Sequence, residues 1–199
     1  MSLNGNTRSQ LAYRVAVPSE APHLAALINT AFRSELPGQT WLFDDQERRI
    51  DIVSTEPIAG FIDSAESVLL TGVINNGSAA VACCYLRKPS NPPEPHMTAD
   101  AAWFDLLSVL SAHHGCGYGF AMLAAAENFV LEHWSAKRLE FDFVSSRLQL
   151  RAWYERCGYR ATGARRDFPY GQHGREILAD GLDMVVLGKD LEDQQRNRS

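Results

Sequence analysis

This sequence predicts one domain of the α/β or α+β class, built on a mixed sheet with helices layered on it. Three features predict it. Short runs with two-residue alternation recur along the chain and mark strands. Between them lie segments whose apolar residues repeat every three or four positions, which marks helices. Read in order, the elements run β-α-α-β-β-β-α-β-α-β-β, with no internal repeat and no break in composition to divide the 199 residues.

The first strand is LAYRVAV, in which Tyr13, Val15 and Val17 alternate with Arg14 and Ala16. A helix follows in PSEAPHLAALINTAFR, where Ser19 is a capping candidate and Leu24, Leu27, Ile28 and Ala31 share a face. Pro37 and Gly38 break it, and a second helical pattern runs from Asp44 to about Ser64, interrupted at Pro57. SVLLTGVI and SAAVACCYLR read as strands joined through Asn75, Asn76 and Gly77, which hold the Asn-Gly pair of tight hairpins. PSNPPEPHMTAD is too rich in proline for regular structure and reads as a mobile loop. AAWFDLLSVL is the next strand, and Leu123, Ala126, Val130 and Trp134 mark the stripe of the helix after it. RLEFDFVS alternates as a strand. Leu150, Trp153, Tyr154 and Cys157 return to helical spacing, with Gly158 placed to end that helix. YRATGARRDF and LDMVVLGKDL complete the strands, and residues 1–10 and 192–199 read as flexible tails.

Bulk properties exclude several functions. Apolar residues make up 45% and charged residues 22%, an ordinary globular balance. A net charge of -5 argues against nucleic acid, which needs a basic face. No run reaches the ~18–20 apolar residues of a membrane span, and the polar start lacks the apolar core of a signal peptide. Cys83, Cys84, Cys116 and Cys157 fit neither zinc-site nor disulfide spacing, so no metal is expected and a reducing, cytoplasmic setting is.

The chemistry concentrates in HHGCGYGF, residues 113–120, between the AAWFDLLSVL strand and its following helix. Glycine costs conformational entropy, so Gly115, Gly117 and Gly119 need a reason. A strand that runs through glycines into a helix offers unpaired amides at the positive end of the helix dipole, which suits an anion. The G-x-G-x-G spacing is neither the dinucleotide fingerprint nor the P-loop. A plain flexible turn and an anion cradle both satisfy it.

The run LLSVLSAHHGCGYGFAMLAAAE resembles the acetyl-CoA motif of the GNAT superfamily of N-acetyltransferases, a strand ending in valine followed by [QR]-x-x-G-x-[GA] at a helix start. Val109 takes the strand position, and Gly117 and Gly119 are the motif glycines. RLQLRAWYERCGYRATG resembles the second family motif, and the remaining elements stand in family order. His114 departs from the pattern, standing where relatives carry arginine or glutamine.

The resemblance implies a mostly antiparallel sheet and acetyl transfer from acetyl-CoA directly to an amine through a tetrahedral intermediate. It implies that Leu107, Ser108 and Val109 pair with the pantetheine arm. The loop from His114 through Gly115, Cys116, Gly117, Tyr118, Gly119 and Phe120 would bind the pyrophosphate. Tyr154 matches the family's acid, and its phenol suits protonation of a departing thiolate. Asp105 and Asp142 are candidate bases. An ordinary aspartate is a feeble base, so burial or a water relay is required. Asp105, in a mostly apolar strand, is the better candidate, while Asp142 reads equally well as part of a solvated face shared with Glu140. Trp41, Phe168 and Tyr170 lie on loops that flank the acceptor pocket in this fold. A noncatalytic module binding CoA or acyl-CoA is the alternative, and a thiol hydrolase using Cys116 a further one. The acceptor is an amine of a small molecule or peptide, and the chain a monomer or homodimer.

Overall fold

The computed structural model of the chain describes residues 11–33, 54–74, 77, 79–168 and 181–191. Seven strands form one sheet in the order β1-β2-β3-β4-β5-β7-β6. They are β1 (Leu11–Val15), β2 (Ser67–Ile74), β3 (Ala82–Arg87), β4 (Ala101–Val109), β5 (Arg138–Val144), β6 (Arg160–Asp167) and β7 (Asp183–Asp190). Every neighbouring pair is antiparallel except β4 and β5. The helices are α1 (Ala21–Arg33), α2 (Thr55–Asp63), α3 (Tyr118–Trp134) and α4 (Leu148–Arg156). The order of strands and helices along the chain is the one the periodicities predict.

Alternation along the strands sorts the core onto two faces. Leu70, Cys84, Leu86, Phe104 and Phe141 pack with Met122, Leu123 and Ala126 of α3 and Tyr154 of α4. Leu69 and Cys83 turn the other way, onto Leu24 and Ile28 of α1 and Ile58 of α2. Cys83 and Cys84 are fully buried, and burial pushes the Cys83 thiol up to about 12, so both serve as small apolar residues.

Several local expectations change. Residues 44–53 of the second helical pattern lie outside the described residues; Pro57 sits in the first turn of α2, where its missing N–H has no intrahelical partner to lose. Ser19 lies within a short 3-10 turn, Pro18–Glu20, and the Glu20 carboxylate accepts the Val17 N–H there at 2.9 Å. The β2–β3 ladder closes at Gly72 opposite Ala82, so the connection is longer than a two-residue hairpin. In β1 the apolar Tyr13 and Val15 point outward and are exposed on an edge strand, and Val17, exposed too, lies beyond the strand at the start of the 3-10 turn.

The proline-rich stretch before β4 is irregular but fastened down. Glu140, fully buried on β5, accepts the Thr98 N–H at 2.8 Å and its hydroxyl at 2.5 Å, and Arg138 donates to it at 2.6 Å. Met97 joins Trp103 and Val186 in a third apolar cluster. Glu140 therefore belongs to no solvated face. On the opposite side of the sheet, the buried Glu127 of α3 accepts the Tyr159 hydroxyl at 3.0 Å and the Lys189 ammonium at 2.8 Å. These contacts tie α3 to the sheet and to the end of α4.

Candidate active site

The site begins with one extra residue in β4. Its register against β3 runs Cys83 to Ser108 and then Tyr85 to Asp105, so three steps on β4 oppose two on β3. That is a β-bulge. Leu106 takes φ +53° within it, and its N–H turns back onto the Asp105 carboxylate at 2.6 Å. Phe104 and Leu107 pack on the α3 face while Leu106 packs with the α1 cluster. On the other side, β4 pairs with β5 only from Ala101 to Trp103. Beyond that point the two strands part.

A cavity of about 760 Å³ occupies the gap and passes through the sheet. Gly117, Gly119, Trp153 and Tyr154 line it from the side of α3 and α4; Phe32 of α1 and Asp105, Asp142 and Arg166 line it from the other. The volume lies within the ~300–1,000 Å³ typical of small-molecule sites.

Backbone geometry shapes the first side. Leu110 donates its N–H to the Val81 carbonyl at 3.0 Å, which makes Ala82 and Val109 a non-hydrogen-bonded pair. Val109 therefore turns its own N–H and C=O away from β3, toward the gap. The His114 imidazole approaches that carbonyl, Nε2 to oxygen 2.9 Å, and since a carbonyl only accepts, Nε2 carries the proton. Gly115 and Gly117 have φ of +75° and +82°, values that favour glycine, and a Cβ on either would meet only open space. Gly117 is the N-cap of α3, so the amides of Tyr118, Gly119 and Phe120 have no carbonyl below them within the helix. The loop thus presents the amides of the α3 N-terminus to the cavity, a fit for a pyrophosphate.

Tyr154 is buried among rings, with Phe141 at 4.2 Å and Trp153 at 4.7 Å between centroids. α4 ends in a Schellman turn: Gly158, at φ +97°, donates to Glu155 and Tyr159 donates to the Tyr154 carbonyl at 3.1 Å. Burial, and then the neighbouring Asp105, hold the Tyr154 phenol well above its ordinary range, so it keeps its proton.

The two aspartates differ. Asp105 is solvent-exposed where it lines the open cleft, but the groups packed around its carboxyl desolvate it and raise it to about 6, against the opposing Leu106 N–H. Asp142 is also raised by desolvation, but Arg166 opposes this with an ion pair at 2.6 Å. Asp105 is thus poised near neutrality, and Asp142 is committed to a cation.

The remaining candidates fall as follows. Leu107, Val109, His114, Gly115, Tyr118 and Phe120 line the cavity, whereas Ser108 is buried and bonds the Leu106 carbonyl at 3.1 Å. The Cys116 thiol approaches the His114 carbonyl at 3.8 Å rather than its imidazole, which gives no nucleophile–base pair. Phe168 is buried just after β6 and is not among the cavity-lining residues; Trp41 and Tyr170 lie outside the described residues. Arg147 stands at the N-cap of α4 and lines the cavity without a side-chain capping bond. Arg166 and Leu106 escaped sequence reasoning. Neither carries a local signal, since one acts through a strand partner and the other through register. Among the described residues no group of three or more potential metal ligands occurs, and no helix is long and apolar enough to cross a membrane.

Comparisons with known proteins agree with this geometry. The fold is similar to the ribosomal-protein-S18-alanine N-acetyltransferase of Escherichia coli, with TM-score 0.62 and 14% identity over 92% of this chain and 94% of that one. It is similar to Arabidopsis thaliana NAA60 in complex with acetyl-CoA, with TM-score 0.66 and 11% identity over 92% of this chain and 99% of that one. A chimera of the spermidine N-acetyltransferase SpeG from Vibrio cholerae and hSSAT aligns with TM-score 0.65 and 11% identity, over 94% and 99% of the two chains. No curated protein matches the sequence. The model of the acetyltransferase (GNAT) family matches residues 26–159, two thirds of the chain, and the protein is therefore a member of the GNAT family of N-acetyltransferases.

Proposed function

We propose that the protein transfers an acetyl group from acetyl-CoA directly to an amine, with Asp105 as base and Tyr154 as acid. One observation carries the reading: Asp105 and Tyr154 open onto the same through-sheet cavity from its opposite sides. The glycine-loop amides hold the pyrophosphate, and the gap-facing edge of β4 receives the pantetheine arm.

Asp105 takes one proton from the arriving ammonium, either directly or through one water. The freed amine forms a C–N bond to the thioester carbonyl, and the Val109 N–H supports the oxygen of the resulting tetrahedral centre. As the C–S bond breaks, Tyr154 donates its proton to the departing sulfur. The nitrogen of the new amide then returns a proton to the phenol. One proton leaves through Asp105, so the balance is amine cation plus acetyl thioester to amide, thiol and one proton. Asp142, paired with Arg166, accepts no proton in this scheme and acts by raising the carboxyl of Asp105.

Neighbours of similar fold carry names that specify a ribosomal-protein alanine and spermidine as acceptors, so fold alone does not choose between peptide and small amines. The four free cysteines, two of them fully buried, suit a reducing compartment and support a cytoplasmic setting. Calorimetric titration with acetyl-CoA, followed by thiol release across a panel of amines, polyamines and peptides, tests the reading. Binding with turnover on one acceptor class is expected. Binding without turnover on any of them would favour a CoA-binding module, and no binding at millimolar concentration would end the cradle reading.

A further inference from the structure

His114 is the residue at which this chain leaves the family pattern, and its ring is already engaged. It reaches five residues back, from the glycine loop to the last carbonyl of β4. The peptide between Val109 and Leu110 is then held at both ends, its N–H by Val81, just before β3, and its C=O by the imidazole. Two separate grips on one ligand meet here. The edge of β4 would receive the pantetheine arm, and the loop starting at Gly115 would receive the pyrophosphate.

We infer that His114 is a positioning residue that sets the spacing between these two grips. The inference rests on the acetyl-CoA reading above. The same bond explains why arginine or glutamine is dispensable here. With Nε2 spent on Val109, the ring has only its far nitrogen, Nδ1, left to face a phosphate, and the amides must do the binding.

A spacing role differs from a phosphate contact in what it does to fragments. In His114→Ala, acetyl-CoA should bind about tenfold more weakly, the scale of one net hydrogen bond. ADP, which reaches only the loop, and pantetheine, which reaches only β4, should each bind as tightly as before. His114→Gln, whose amide N–H can replace Nε2–H, should recover most of the loss. Calorimetry on the whole protein reads all three, and melting temperature checks that each variant folds. A parallel tenfold loss for ADP would overturn the inference in favour of direct phosphate contact. Unchanged acetyl-CoA binding in His114→Ala would overturn it as an idle bond. Failure of the unsubstituted protein to bind acetyl-CoA would remove the functional reading and this inference with it, an outcome distinct from the other two.

Discussion

Arg166 of β6 donates to the Asp142 carboxylate at 2.6 Å, and this contact separates two aspartates that face the same cavity. Asp142 spends its charge on the guanidinium. Among the described residues Asp105 has no such cation in contact, and its carboxyl stays raised. The two are still coupled, because Asp142 raises Asp105 and Arg166 lowers it. Replacing Arg166 with Met should therefore push Asp105 above about 6 and shift the acid limb of the kcat/KM profile toward higher pH. An unmoved limb would show that another group controls it.

Asp105→Asn should cost about a hundredfold or more in kcat, the scale of general base catalysis, and abolish the acid limb near pH 6. The base form is the ionised one, so activity in the unsubstituted protein rises as pH passes upward through that value. Pre-steady-state rates across pH 5 to about 8 would make the comparison.

The same substitution should stabilise the fold. Asp105 titrates at about 6 in the native state against 3.8 as its ordinary value, so the native state holds the proton more tightly than the unfolded chain. Stability is then lost as pH rises from about 4 to 6, and the charged form stays a net cost above that. Asp105→Asn should melt higher than the unsubstituted protein at pH 7.5, and the gain should fade below about pH 4. Thermal scans at those two pH values decide it; an equal gain at both would point to packing instead.

Tyr154→Phe keeps the ring among Phe141, Trp153 and Tyr159 and removes only the hydroxyl. A drop of about a hundredfold in kcat, with acetyl-CoA affinity changed less than threefold, is expected of an acid. Stopped-flow thiol detection alongside calorimetry separates the two effects. A loss confined to affinity would make the tyrosine a packing residue.

Away from the site, Lys189→Met should destabilise the protein by about 3–5 kcal/mol, because it leaves Glu127 buried without its ammonium partner. Adding Glu127→Gln should recover part of that loss in denaturant unfolding.

Much of this was legible before the structure. The element order followed from periodicity alone, and the glycine loop and Gly158 stood at positions that local chemistry marks, whereas Tyr154 was singled out as an acid only by the family resemblance. What escaped depends on pairing across the sheet. The β4 bulge is a matter of register between Cys83, Tyr85, Asp105 and Ser108, which no single strand encodes. Arg166 lies 24 residues from Asp142 and meets it only once β6 is placed. Glu140 read as solvated because its partners, Thr98 and Arg138, were assigned to a loop and a strand end. The outward Tyr13 and Val15 follow from β1 being an edge strand, which alternation cannot report.

The bulge also sets a distance. One odd residue at Leu106 stands between Asp105 and Val109, which aims its amide into the gap. Deleting Leu106 would close the bulge, leaving Asp105 opposite Tyr85 and Val109 opposite Ala82 on the faces they hold now. The kink between them would go, and the carboxylate and the amide ledge would stand one residue closer along the strand. A single-codon loss here would thus change the reach between the two groups and leave every facing intact.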